Sequence, residues 1–190
     1  MRIRPGRWCK LHSKRAFSLW RQCGPGFYRL FSPELAGGAL LDLGVYLVSL
    51  SSFLVGTPTR VTAVGQFTST GVDAQVCAIL ENGRGALSTL FTTLAAPTPT
   101  GAFIAGTKGT LRLDSPFYVP GRITVSSLDR SIERTREFDI RTPAGGLCYE
   151  AAEAARRIAQ GATESPYLPP QESVAILETL DRIREQLASP

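Results

Sequence analysis

A single histidine, His12, in 190 residues leaves little room for chemistry that runs through an imidazole. It stands among arginines near the N-terminus, where a solvated side chain is expected, and it pairs with no Ser or Cys nucleophile in a recognisable motif. Lysine is almost as scarce, with Lys10, Lys14 and Lys108 the only three. No Gly-x-Gly-x-x-Gly turn occurs, so the chain lacks the usual signal for a dinucleotide pyrophosphate cradle. The nearest string, Gly24-Pro-Gly26-Phe-Tyr-Arg29, is short of its third glycine and follows no strand. No apolar run reaches the roughly 20 residues that span a bilayer. The longest, Ala39 to Val55, contains Asp42, Gly44 and three serines, and a membrane anchor is rejected.

The four cysteines, Cys9, Cys23, Cys77 and Cys148, have no recurrent spacing. They fit reduced thiols in the cytoplasm better than an extracellular disulfide framework. Cys9, His12 and Cys23 do not make a zinc site, because a structural site needs four ligands at tighter paired spacing. No metal ligands are expected.

The net charge of +5 is unevenly spread. Arg2, Arg4, Arg7, Lys10, Lys14, Arg15, Arg21 and Arg29 fall in the first 30 residues beside no acid, so the remainder of the chain is acidic on balance. Residues 1–26 read as a basic, disordered arm. Their composition would also suit an organelle transit peptide, although a disordered or misassigned start at Met1 is preferred. Trp8, Phe17 and Trp20 are interleaved with the bases, and the arm could bind an anionic polymer by charge and stacking.

Residues 27–190 look like one folded domain with an ordinary apolar core. The run Ala39–Val55, introduced by Gly37-Gly38 and closed by Gly56-Thr-Pro58, predicts a buried helix. Residues 59–68 and 72–81 alternate with a period of two, which predicts half-buried strands. In the first, Val61, Ala63 and Phe67 share the inner side. In the second, Val72, Ala74, Val76, Ala78 and Leu80 oppose Asp73, Gln75, Cys77 and Glu81. Asn82-Gly83 predicts a tight hairpin turn that pairs 72–81 with 84–93. Further strands are expected around 101–106, 109–114, 121–127 and 132–139, with a turn at Gly106-Thr-Lys-Gly109.

Helices follow at about 147–160 and 170–187, the second with Pro170 in its first turn and an apolar stripe of Val174, Leu177, Leu180, Ile183 and Leu187. Strands first and helices later predict an α+β fold, an open and predominantly antiparallel β-sheet with helices packed on one face and no Rossmann domain. Leu87, Phe91 and Val125 remain to be covered on the other face, and a sheet-to-sheet homodimer would cover them.

The stretch Arg29-Leu-Phe-Ser-Pro-Glu-Leu-Ala-Gly-Gly-Ala-Leu-Leu-Asp-Leu-Gly-Val-Tyr46 resembles the interdomain helix motif of the Gfo/Idh/MocA oxidoreductases, in the branch of dihydrodiol and sugar dehydrogenases. The resemblance continues through Gly56-Thr-Pro58, Thr70-Gly-Val-Asp73, Gly106-Thr-Lys-Gly109 and Gly161-Ala-Thr-Glu-Ser-Pro166, and covers roughly residues 27–187. It implies a C-terminal substrate-binding and dimerisation domain, a small sugar- or diol-like substrate, and NAD or NADP as cofactor.

Asp42 and Tyr46 match the family's Asp and Tyr, which line the substrate pocket, orient hydroxyl groups and assist proton transfer. Four residues apart on a helix, they share a face. Gly37 and Gly38 would let the backbone approach a ligand closely, or simply start the helix. The family's catalytic lysine sits in a Glu-Lys-Pro motif that this sequence lacks. The chain is therefore expected to bind no cofactor alone and to be inactive unless a separate or missing Rossmann domain is supplied. A non-enzymatic module binding a small ligand through Asp42 and Tyr46 is the second reading, and polymer binding through the arm the third.

Overall fold

The structure, a computed structural model, describes residues 29–129, 131–138 and 146–188. The basic arm and the Cys9, His12 and Cys23 set lie outside the described residues. Among the described residues, the α-helices α1 (Val45–Val55), α2 (Leu147–Ala159) and α3 (Pro170–Ala188) accompany seven strands. These are β1 (Arg60–Phe67), β2 (Asp73–Glu81), β3 (Leu87–Thr93), β4 (Ala102–Gly106), β5 (Gly109–Leu113), β6 (Arg122–Ser127) and β7 (Glu133–Glu137). Every described strand pair is antiparallel, and the arrangement is α+β.

The described residues divide into two compact units, those of 29–97 with 171–188 and those of 98–170. The expected meander likewise divides into two sheets, ordered β1-β2-β3 and β4-β5-β6-β7. Pro97 and Pro99 fall at the break. Neither has an N–H to donate to a ladder, so a strand cannot continue through them.

In the first unit one face of the three-stranded sheet carries Val61, Ala63, Val76, Ala78 and Leu80 into a core shared with Leu40, Val48, Ile176, Leu180 and Ile183. The helices thus cover this face, each fully buried aliphatic side chain contributing roughly 1.5–3 kcal/mol. The stripe on α3 is rotated from the predicted one. Ile176, Leu180 and Ile183 are buried, whereas Val174 and Leu177 are exposed. Thr179 joins the buried side because its hydroxyl donates to the Ala175 carbonyl one turn back, at 2.8 Å. Arg182 ties α3 to the loop before β1, donating to the carbonyls of Pro58 at 2.8 Å and Thr59 at 3.0 Å.

Two residues depart from the predicted alternation. Phe67, expected inside, is exposed, and Asp73, expected on the polar side, is buried. The cause is a register shift between Gln66 and Phe67, which pairs Phe67 with Asp73 and displaces the pleat there. The β2–β3 hairpin pairs as predicted but turns differently. Its loop runs from Asn82 to Ala86, and the Asn82 side chain accepts the N–H groups of Arg84 and Ala86 at 3.0 and 3.1 Å. The left-handed position is Gly85, with φ +80°, not Asn82 or Gly83.

The helix expected over Ala39–Val55 has two parts, a π-helical turn at Leu40–Gly44 and α1. The stretch Pro33–Val55 is long and apolar enough by length and composition to cross a membrane. Yet Leu40 and Val48 are core residues, while Phe53 and Tyr46 are exposed. The helix is buried along one face, not all round.

The second unit holds the four-stranded sheet and α2. The Gly106-Thr-Lys-Gly109 turn joins β4 and β5 as expected, with Gly106 paired to Gly109. Glu153 on α2 accepts hydrogen bonds from Arg157 at 2.7 Å and from Ser165 at 2.8 Å, which draws the 161–166 stretch onto the helix. Beside this knot is a cleft of about 520 Å³ walled by Tyr149, Ile158, Tyr167 and Leu168.

Candidate functional site

The candidate site grows from the turn that precedes α1. A short 3-10 turn at Pro33–Leu35 ends at Ala36, whose φ of +53° reverses the chain. The N–H of Gly37 then returns to the Ser32 carbonyl and that of Gly38 to the Leu30 carbonyl, both at 2.9 Å. Both glycines are buried. A Cβ on Gly37 would lie 2.6 Å from the carbonyl oxygens of Arg29 and Leu30. The tight neighbours of this pair are thus the chain's own atoms, which makes the glycines a folding requirement first.

From this turn the chain enters the π-helical turn that carries Asp42, and Tyr46 follows on the first turn of α1. A π-helical turn inside a longer helix widens the hydrogen-bond ladder and recurs at functional sites. The Asp42 carboxylate is paired with the Arg29 guanidinium, their side chains 23% and 49% exposed. A pair so open to water adds roughly 0.2–1 kcal/mol to stability, so its consequence is orientation more than strength. Tyr46 is 45% exposed. A carboxylate that accepts and a phenol that both donates and accepts suit a ligand rich in hydroxyl groups.

Asp73 is a residue of this region to which sequence reasoning assigned no role. It is 8% exposed, and its Oδ2 accepts the Leu40 N–H at 2.6 Å. The N-cap residue, Ala39, has no side chain to do this. Thr92 holds the same segment from β3, donating to the Ala39 carbonyl at 3.2 Å. The available signal was the Thr70-Gly-Val-Asp73 string. For Arg29 it was the opening of the long motif. Gly37, Leu41 and Asp73 line a cleft of about 480 Å³ with Phe67, Arg184 and Leu187. Asp42 and Tyr46 are not among its lining residues.

Nothing in these residues fits a dinucleotide. A pyrophosphate cradle joins a strand of a parallel unit to a helix N-terminus, and all the described strand pairs are antiparallel. No group of three His, Cys, Asp or Glu among the described residues could hold a metal ion.

The motif and the fold together define a class, and comparison with known proteins identifies it. The sequence profile of the GFO/IDH/MocA C-terminal domain matches residues 3–112, and the chain belongs to that family. Trans-1,2-dihydrobenzene-1,2-diol dehydrogenase of Xenopus tropicalis is 31% identical over 164 residues, which is 84% of this chain and 49% of that protein. The enzyme of the same name from Oryctolagus cuniculus is 30% identical over 158 residues, 80% of this chain and 48% of its own length. The chain thus spans about half the length of the curated relatives it matches.

Among solved structures, a 3-ketoreductase from Actinomadura kijaniata in complex with NADP and TDP-benzene superposes with a TM-score of 0.68 at 18% identity, over 83% of this chain and 48% of that one. An aldose-aldose oxidoreductase from Caulobacter crescentus complexed with glycerol gives 0.65 at 18% identity, over 79% and 45%. At these identities the likeness is one of fold.

Proposed function

We propose that this chain is the substrate-binding and dimerisation domain of an NAD(P)-dependent oxidoreductase acting on sugar- or diol-like substrates, with Asp42 and Tyr46 holding the substrate's hydroxyl groups. The observation that carries the reading is the placement of Asp42, paired with Arg29, in a π-helical turn that leads into the exposed Tyr46. Relatives named for a cyclic diol support the substrate class, and fold neighbours holding NAD(P) support the cofactor class.

In this reading Asp42 accepts a hydrogen bond from one substrate hydroxyl while Arg29 keeps the carboxylate turned toward it. Tyr46 donates to or accepts from a second hydroxyl. The dinucleotide is held by a Rossmann domain that these residues do not form, and the catalytic lysine comes from that domain too. The exposed face of the first sheet meets a second copy of the chain, and the protein works in the cytoplasm.

The test is a titration of the purified 190-residue chain with trans-cyclohexane-1,2-diol, followed by NMR. Binding should weaken several-fold in Tyr46→Phe, which removes one hydrogen bond worth about 1 kcal/mol, and more in Asp42→Asn. Unchanged affinity in both variants would overturn the site assignment. With NAD or NADP added, nicotinamide absorbance should stay flat, and sustained turnover by the pure chain would contradict the proposed division of labour.

A further inference from the structure

Asp73 lies on β2, yet its carboxylate is buried against the turn that carries Asp42. One hydrogen bond and one close approach mark that turn. Oδ2 accepts the Leu40 N–H at 2.6 Å, one of the first helical N–H groups, which have no partner within a helix. On the other side, a Cβ on Gly38 would stand 2.2 Å from Oδ1, and Gly38 has φ +117°, a conformation L side chains rarely adopt. The Asp42 N–H then returns to the Gly38 carbonyl at 3.3 Å. The backbone on which Asp42 rides is thus held at residue 40, and closely approached at residue 38, by a carboxylate from the sheet.

A simple helix cap would not require this arrangement. A Ser, Thr, Asn or Asp two residues before Leu40 would satisfy the same N–H locally, but that place is taken by Gly38. The cap comes instead from 33 residues away, so the angle of the turn is referred to the sheet.

We propose that Asp73 is the positioning residue of the candidate site. Without touching the substrate, it sets the angle at which Asp42 meets Arg29. This rests on the reading of Asp42 and Tyr46 as a hydroxyl-binding pair.

The experiment compares the full 190-residue chain, isotopically labelled, with Asp73→Asn, Asp73→Ala and Gly38→Ala. The Arg29 Nε–H resonance reports the pair with Asp42, and titration with trans-cyclohexane-1,2-diol reports the site. All three variants should move the Arg29 Nε–H and the amides of residues 40–44 while the β3 amides before Thr92 stay in place. Diol affinity should fall about ten-fold in Asp73→Ala and less in Asp73→Asn, which keeps an oxygen acceptor. If Asp73 only stabilises the fold, the variants melt earlier but, when folded, keep the wild-type Arg29 resonance and diol affinity, and the proposal is overturned.

Should Asp73→Ala not fold, Asp73→Asn and Gly38→Ala carry the same comparison, the latter displacing the carboxylate without removing it. If the wild-type chain binds no diol while the variants still shift Arg29 and Asp42, the positioning role stands and the hydroxyl-binding reading fails.

Discussion

Phe91 stands directly opposite Cys77 across β3 and β2, on the face of the first sheet that the helices do not cover, and both are exposed. Val64 pairs with Cys77 from the other side, so the three make one row across the sheet. Ile79 and Leu87 extend the same exposed apolar face. In the proposed reading this face is the dimer contact, where a two-fold axis would let each copy cover the other. Phe91→Asp should weaken self-association at least ten-fold in sedimentation equilibrium and speed alkylation of Cys77. A wild-type chain that sediments as a monomer at all concentrations would rule the sheet face out as the dimer contact.

The rotated stripe on α3 makes a second prediction. Leu180 and Ile183 are 1% and 0% exposed, whereas Val174 and Leu177 are each 54% exposed. Leu180→Ala or Ile183→Ala should therefore cost about 2–5 kcal/mol through lost contacts and a residual cavity. Val174→Ala and Leu177→Ala should fall within about 0.5 kcal/mol of wild type. Urea denaturation of the four variants separates the two stripes, and a large loss at Leu177 would restore the one read from sequence.

Periodicity made the elements legible and left their phases open. All seven strands and both C-terminal helices fall where the alternation and the turn residues put them. A helical stripe of mixed Val, Leu and Ile, however, fits two rotations, and only the packing of α3 on β1 and β2 selects Ile176 over Val174. The bulge at Gln66 and Phe67 is invisible to a period-two pattern because it changes the phase of the pattern itself.

Asp42 and Tyr46 could be singled out as candidates because they occur in one continuous motif. Arg29 pairs with Asp42 from 13 residues away and Asp73 meets Leu40 from 33, and no local spacing reports such contacts. The split into two sheets was written in Pro97 and Pro99, but a proline pair between strands is equally compatible with a long connection inside one sheet.

The hairpin between β2 and β3 distinguishes two neighbouring glycines. Gly85 has φ +80° with open space around it, so an alanine there meets no atom but must adopt a left-handed backbone. Gly85→Ala should cost roughly 1–2 kcal/mol. Gly83 has no such φ, and its nearest neighbour to an added Cβ, the Thr59 methyl, would be in ordinary contact at 3.6 Å. Gly83→Ala should be neutral or stabilise by about 0.4–1 kcal/mol through the unfolded chain. Thermal unfolding of the two variants reads the difference, and the opposite ranking would mean that the turn is the two-residue Asn-Gly type after all.

Asp129 gives a prediction in pH. Its carboxylate accepts hydrogen bonds from the hydroxyls of Ser127 at 2.6 Å and Ser131 at 2.7 Å, and from the Ser131 N–H at 3.0 Å. Led by the Ser127 hydroxyl, these bonds hold the charged form and lower the pKa from 3.8 to about 2. Because the folded value lies below the unfolded one, whatever the ionised turn adds to stability is present in full above the unfolded pKa. That contribution is lost as the pH falls from about 3.8 through about 2. The group is fully exposed, so the signature belongs to the residue more than to global stability. Following the Asp129 carboxyl carbon by NMR should give a midpoint near 2 in the wild-type chain. Ser127→Ala should raise it toward the ordinary carboxylate range, and Ser131→Ala should do so less. A wild-type midpoint already in that range would mean that the turn does not close around the carboxylate in solution.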